Sequence, residues 1–163
     1  MGLKYLDFGY WIGVPKNSTY KTEYTPFIVH GGGWNAYTAS NAATYTGKAA
    51  AVAYNSAVPG SAHELGGTAT LEVSDRYNAK LKLDFDNYYT FDMTLGSSSN
   101  GTPSSVIVNG TNTNGGPAFT SCVSGCSAGA GISYVGQYGI EEVGGVYHYS
   151  DGNNKLYGSF GAK

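Results

Sequence analysis

The chain has 163 residues, 12% of them charged, and a net charge of −2 at pH 7. That length fits one domain, and the charge balance leaves no basic footprint for nucleic acid or an anionic membrane surface. With 25 glycines, 15 tyrosines and 14% aromatic content, it is too apolar for disorder and too glycine-rich for a helical protein. This is the composition of a neutral, turn-rich β protein, often an exported one.

No stretch approaches the roughly 20 apolar residues of a membrane helix, so no helical span is expected. Met1-Gly2-Leu3-Lys4 opens no signal peptide, because Asp7 and Gly9 interrupt the apolar run. If the protein is exported, its leader has been removed and Met1-Gly2 is an expression start. Strands are expected near 4–12 and 24–30, then a loop at Gly31-Gly32-Gly33, then a strand near 43–54. After a turn at Val58-Pro59-Gly60 the period-two signal becomes clear. Ala69, Leu71 and Val73 alternate with Thr68, Thr70 and Glu72. Ala79, Leu81, Leu83 and Phe85 alternate with Lys80, Lys82 and Asp84, and Phe91, Met93 and Leu95 alternate with Thr90, Asp92 and Thr94. The short connections between these strands predict an antiparallel meander with one dry face. The Ser/Asn/Gly stretch 96–103 reads as a surface loop. Further strands are expected near 104–109, 117–122, 130–137, 142–149 and 155–161, the last two joined by a hairpin turn at 151–154.

Many short strands without helices mean a sandwich or a barrel. Leu71, Val73, Leu81, Leu83, Phe85, Phe91, Met93 and Leu95 should be buried together, with Lys80, Lys82, Asp84, Thr90, Asp92 and Thr94 on an outer wall. A lipid-facing row of such charges would be prohibitive, so a barrel here is a soluble one. Cys122 and Cys126 frame a C-x3-C loop that closes as a disulfide in an oxidising compartment. Two reduced thiols are the plainer alternative, and a zinc site lacks further ligands.

Several segments resemble one family in the right order. They are Tyr45-x-Gly47-Lys48-Ala49, Gly67-Thr68-Ala69-Thr70-Leu71, Leu81-x-Leu83-x-Phe85, Glu141-Glu142-x-Gly144-Gly145, and the terminal Gly158-x-Phe160-Gly161-Ala162-Lys163. Together they resemble the C-terminal β-barrel domain of transferrin-binding protein B and its relatives, which include factor H-binding lipoproteins and secreted haemophores. The resemblance implies an all-β, eight-stranded antiparallel barrel with a filled interior, preceded by additional N-terminal strands. It places a single domain over 1–163, with preceding strands and a loop in 1–40 and the barrel in 41–163. It also implies a monomer on the surface of, or secreted by, a Gram-negative bacterium, acting in iron or haem acquisition. Two departures stand out: there is no lipobox cysteine, and the loop 96–128 with its Cys pair has no match in the family pattern.

No catalytic constellation emerges, and an enzyme is not expected. Ser61, His63 and Glu64 are neighbours in a loop, whereas a triad is assembled across a fold. Glu141 and Glu142 are adjacent, so on a strand they face opposite sides. Gly47-Lys48 lacks the glycine and Ser/Thr of a phosphate loop. Nothing has the spacing of a metal site. Haem is the one cofactor that the resemblance brings into view, with His63 and His30 as candidate ligands. Aromatics beside loops are the remaining lead: Trp34, Tyr37, Tyr88 and Tyr89 are candidate anchors for a host or bacterial surface protein. Two other readings stay open, a haemophore binding haem directly and an export module addressed to an outer-membrane translocator. Gly144-Gly145 reads as a bulge or bend in its strand.

Overall fold

Alternating side chains give a strand one face that must leave water, and here that face closes on itself. A computed structural model describes residues 3–4, 6–13, 23–30, 42–75, 77–86, 88–96, 100–110, 116–136, 140 and 142–163. Strands β1 (Leu6–Gly13) and β2 (Glu23–His30) form a separate antiparallel pair. Strands β3 (Ala43–Asn55), β4 (His63–Asp75), β5 (Asn78–Phe85) and β6 (Tyr89–Leu95) follow as an antiparallel meander. Next come β7 (Asn100–Gly101) and β8 (Pro103–Asn109), and then β9 (Ser127–Val135), β10 (Glu142–Asp151) and β11 (Asn154–Ala162). Strand β11 returns to pair with β3, so the first and last barrel strands are neighbours.

Closure happens at Thr102. Strand β8 pairs with β6, whereas β7, one residue upstream, pairs with β9 through Asn100↔Gly131 and Gly101↔Ala130. The two pieces are one chain path serving both neighbours, which makes an eight-stranded antiparallel barrel. The stretch 96–103, expected as a plain surface loop, therefore contains the closing segment. Pro103 begins β8, where a missing N–H costs the ladder little.

The expected strand at 117–122 is instead a strap along this seam. Its only ladder contact is at Val106 and Cys122, which exchange backbone bonds of 2.7 and 2.8 Å. Side chains hold the rest. Thr120 donates from its backbone N (2.9 Å) and Oγ1 (2.7 Å) to Asp151 Oδ2, and Asn154 Nδ2 donates to the Ala118 carbonyl at 2.8 Å. Ser121 Oγ accepts from the Val108 N–H at 2.8 Å. Such side-chain bonds satisfy the backbone locally and remove the need for a ladder. Cys122 and Cys126 form a disulfide with a Cα–Cα distance of 5.7 Å, around Gly125 at a positive φ of 63°.

The interior is filled. The eight residues expected at the core of the meander are all at most 3% exposed. Phe85 and Phe91 pack edge to face, 6.2 Å apart, and Phe91 also meets Phe119 and Tyr149. The Tyr89 and Tyr149 hydroxyls reach the carbonyls of Pro117 and Thr120, each at 2.6 Å, and so tie the strap to the core. Lys80, Lys82, Asp84 and Thr94 stand exposed on the outer wall. Thr90 and Asp92 are half-buried rather than exposed, because β8 flanks them at Asn109 and Ile107.

Gly144-Gly145 is not a bulge. The register of β10 runs unbroken through both residues against β9 and β11. Gly145 faces inward, where a Cβ would lie 2.6 Å from the Phe160 ring. It makes room for a ring. Truncating Phe91 to Ala should cost about 3–5 kcal/mol, read as a lower urea midpoint. Replacing the exposed Lys82 with Ala should change stability by less than about 0.5 kcal/mol.

Candidate functional site: the N-terminal hairpin on the barrel wall

With the lumen occupied, what remains for recognition is the outside. The β1–β2 hairpin lies across the outer faces of β10, β11 and β3, and its inward side is Leu6, Phe8 and Tyr10. The wall beneath it is low: Gly144 and Gly161 point outward there. A Cβ at Gly144 would meet Leu6 at 3.1 Å, and one at Gly161 would meet Leu3 at 2.5 Å and Phe8 at 2.7 Å. These glycines let apolar side chains lie on barrel backbone. Val52 and Ser159, also outward-facing, are fully buried under the hairpin.

Polar clamps fix the hairpin in place. Glu142, 2% exposed, accepts from the backbone N–H of Lys4 (2.5 Å) and of Leu6 (3.1 Å) through its two carboxylate oxygens. Ser159 Oγ donates to the Gly9 carbonyl at 2.7 Å. The Tyr10 hydroxyl is hydrogen-bonded to Glu64 on β4, and burial, then that carboxylate, push its pKa up to about 12. Tyr24 on β2 packs against Tyr54 of β3, with ring centroids 5.6 Å apart.

The hairpin's outward side carries apolar residues as well, beside the exposed Asp7 and Thr25. Trp11 is 67% exposed and Val29 54% exposed, and the Phe27 ring lies 5.1 Å from Trp11. Phe27 stands opposite Gly9, where a Cβ would come within 3.1 Å of the ring. The missing side chain lets Phe27 lie flat toward Trp11. Pro26 pairs with Tyr10, four residues along from Leu6, whose N–H is turned away from β2 toward Glu142. Ladder bonds alternate, so Pro26 falls at a position with no bond to give and faces the free edge of β2. That edge is closed to an added strand.

The residues singled out from sequence do not gather in one place. Trp34 and Tyr37 lie outside the described residues. Tyr88 is half-buried, and Tyr89 is a core residue at 4% exposure. His63 is half-buried at the start of β4, opposite Ala53, and His30 ends β2 opposite Leu6, its side chain outside what is described. His148 stacks on Tyr157 at 6.1 Å, and partial burial lowers its pKa. Among the described residues no three His, Cys, Asp or Glu side chains group as a metal site. Trp11 and Phe27 sit on strands rather than loops. Their sequence signal is in β1, where Phe8, Tyr10 and Ile12 make one face apolar and Trp11 puts a large aromatic on the other.

No family model and no curated protein sequence matches the chain. Solved structures do. A transferrin-binding protein B variant from Actinobacillus pleuropneumoniae H49 superposes with a TM-score of 0.56 at 16% identity, covering 99% of this chain and 76% of that one. Isotype 1 transferrin-binding protein B from serogroup B Neisseria meningitidis gives a TM-score of 0.51 at 16% identity, covering 99% of this chain and 31% of that one. The fold is transferrin-binding protein B-like. The family expectation drawn from the barrel motifs therefore holds for architecture. The hairpin-on-barrel arrangement falls inside the superposed region, since nearly the whole chain is covered.

The clamp has a pH signature. Tyr10 loses its proton in the unfolded chain near pH 10 but in the folded chain only near 12. Stability from this phenol is present below about pH 10 and declines as pH rises toward 12. Tyr10→Phe should make the alkaline decline shallower, measured as urea midpoints between pH 9 and 12. Glu142→Ala should speed amide exchange across β1, because two N–H groups lose a buried acceptor, at a cost of about 1–3 kcal/mol.

Proposed function

We propose that this chain is a non-enzymatic protein-binding module, displayed on or released from a Gram-negative bacterium, that captures a host protein in iron acquisition. The observation that carries this reading is the outward face of exposed Trp11 and Val29 with half-buried Phe27 beside them, mounted rigidly on a transferrin-binding protein B-like barrel. Large aromatics held in place with little rotamer freedom are the side chains that dominate protein interfaces. The proteins of similar fold are named for binding transferrin, and transferrin is the partner proposed here. A filled lumen supports a surface-docking mode over a carrier mode, because the barrel keeps no room for cargo.

The test is biolayer interferometry of the full chain against host transferrins, iron-loaded and iron-free. Saturable binding is expected, with Trp11→Ala weakening it at least tenfold while the far-ultraviolet spectrum stays unchanged. Absence of binding to transferrin, or binding that ignores Trp11→Ala and Phe27→Ala alike, would sink the proposal. A one-to-one haem titration with a Soret shift lost on His63→Ala would replace it with the haemophore reading.

A further inference from the structure

An open groove of about 800 Å³ runs between β1 and the outer wall of β3 and β4. Its volume lies in the range of small-molecule sites. Leu3, Leu6 and Phe8 make one bank apolar, and Val29 borders the groove from the hairpin's other side. The opposite bank is a polar patch of the barrel wall, in which Thr46 stands across from Thr70 and Lys48 across from Thr68. Strand pleating turns all four of those side chains outward.

The charge of this groove runs against that of the chain. The protein carries nine Lys and Arg residues and a net charge of −2. Among the described residues, Lys4, Lys48 and Lys163 line this single groove together with the Asp7 carboxylate, and Lys4 and Lys163 also have partners of their own. Lys163 is held beside Thr46 by two backbone bonds of 3.2 Å, and Lys48 sits across from Gly161. Asp7 is already engaged, since its Oδ1 accepts the Phe8 N–H at 3.0 Å. The result is an apolar slot with a cationic, hydroxyl-bearing rim.

The backbone decides which occupant suits it. An incoming peptide strand would need free N–H groups on the β1 edge. Those along the groove are taken by this chain's own carboxylates: Lys4 N and Leu6 N by Glu142, and Phe8 N by Asp7. Recognition there must come from side chains, which favours a small ligand over an added strand. Among the described residues, those lining the groove include no His, Tyr, Cys or Met, the side chains that hold haem iron. From the apolar bank, the lysine rim and the engaged strand edge, we infer that the groove binds a free single-chain anionic amphiphile, a long-chain carboxylate. The alkyl chain lies along Leu3, Leu6 and Phe8, and the carboxylate meets Lys48 and the Thr46, Thr68 and Thr70 hydroxyls. This site uses neither Trp11 nor Phe27 and shares only Val29 with the proposed transferrin face.

The experiment is isothermal titration of the full chain with oleate below its micelle concentration, alongside oleyl alcohol. One-to-one oleate binding is expected, with the alcohol at least tenfold weaker. Lys48→Gln should weaken oleate by roughly tenfold, the loss of one charge-assisted contact. Thr68→Trp, a bulky change on an exposed wall position, should abolish binding while transferrin binding and the circular dichroism spectrum persist. Equal affinity for oleate and the alcohol would overturn the assignment. So would no saturable oleate binding, indifference to both substitutions, or sedimentation with phosphatidylglycerol vesicles in place of free oleate binding.

Discussion

An eight-stranded barrel is just wide enough for its own side chains to fill; here they do fill it, and that constraint governs the rest of this structure. Large residues cluster on the inward faces of β5, β6 and β10, among them Phe85, Phe91, Tyr147 and Tyr149. The facing positions must then be small, and β3 and β9 supply Ala49, Ala51, Ala53, Ala128 and Ala130. Gly145 and Gly158 go further, giving up their side chains beneath Phe160 and Tyr147. Much of the chain's alanine and glycine is thus a negative image of its aromatic residues. Since the volume inside is spent, recognition moves to the outer wall.

The outer wall is not uniform, and its two regions answer to different physics. Around β5 it is a solvated surface: Glu72 stands opposite Lys80, and Lys82 opposite Asp92, cross-strand pairs of opposite sign that favour the register. Around β10 and β11 it is dry, because the hairpin covers Gly144, Ser159 and Gly161. A glycine that faces outward on a barrel would be a weakness if water covered it. Here it permits close approach of a second layer, and the buried Glu142 carboxylate sets where that layer lies.

The meander was legible in the sequence because each of its strands has one wet and one dry face, so alternation records burial directly. The seam was not. Asn100 and Gly101 close the barrel with two residue pairs, and nothing in a Ser/Asn/Gly stretch distinguishes a short closing segment from a loop. The strap differs for the converse reason: Phe119 and Cys122 suggest a strand, but the Thr120 hydroxyl goes to the Asp151 carboxylate and the Ser121 hydroxyl to the Val108 backbone. The Gly144-Gly145 pair was read as a bend because a sequence does not say what lies against a missing side chain. One glycine answers to a ring inside and the other to a leucine outside. The exposed Trp11 and its neighbour Phe27 were similarly hidden, since large apolar residues on both faces of a strand look the same whether they are covered or not.

The pairing of β11 with β3 has a consequence for how this chain reaches its final state. Phe160 pairs with Ala49, across more than 100 residues of intervening sequence, whereas β4, β5 and β6 join through connections of a few residues. Local contacts form early and distant ones late. A chain emerging from its N-terminus can build the meander at once, but β3 then presents a bare edge until the last ten residues arrive. Open edges of that kind invite pairing with other chains. Arrival of the C-terminal strand is the step that covers this edge.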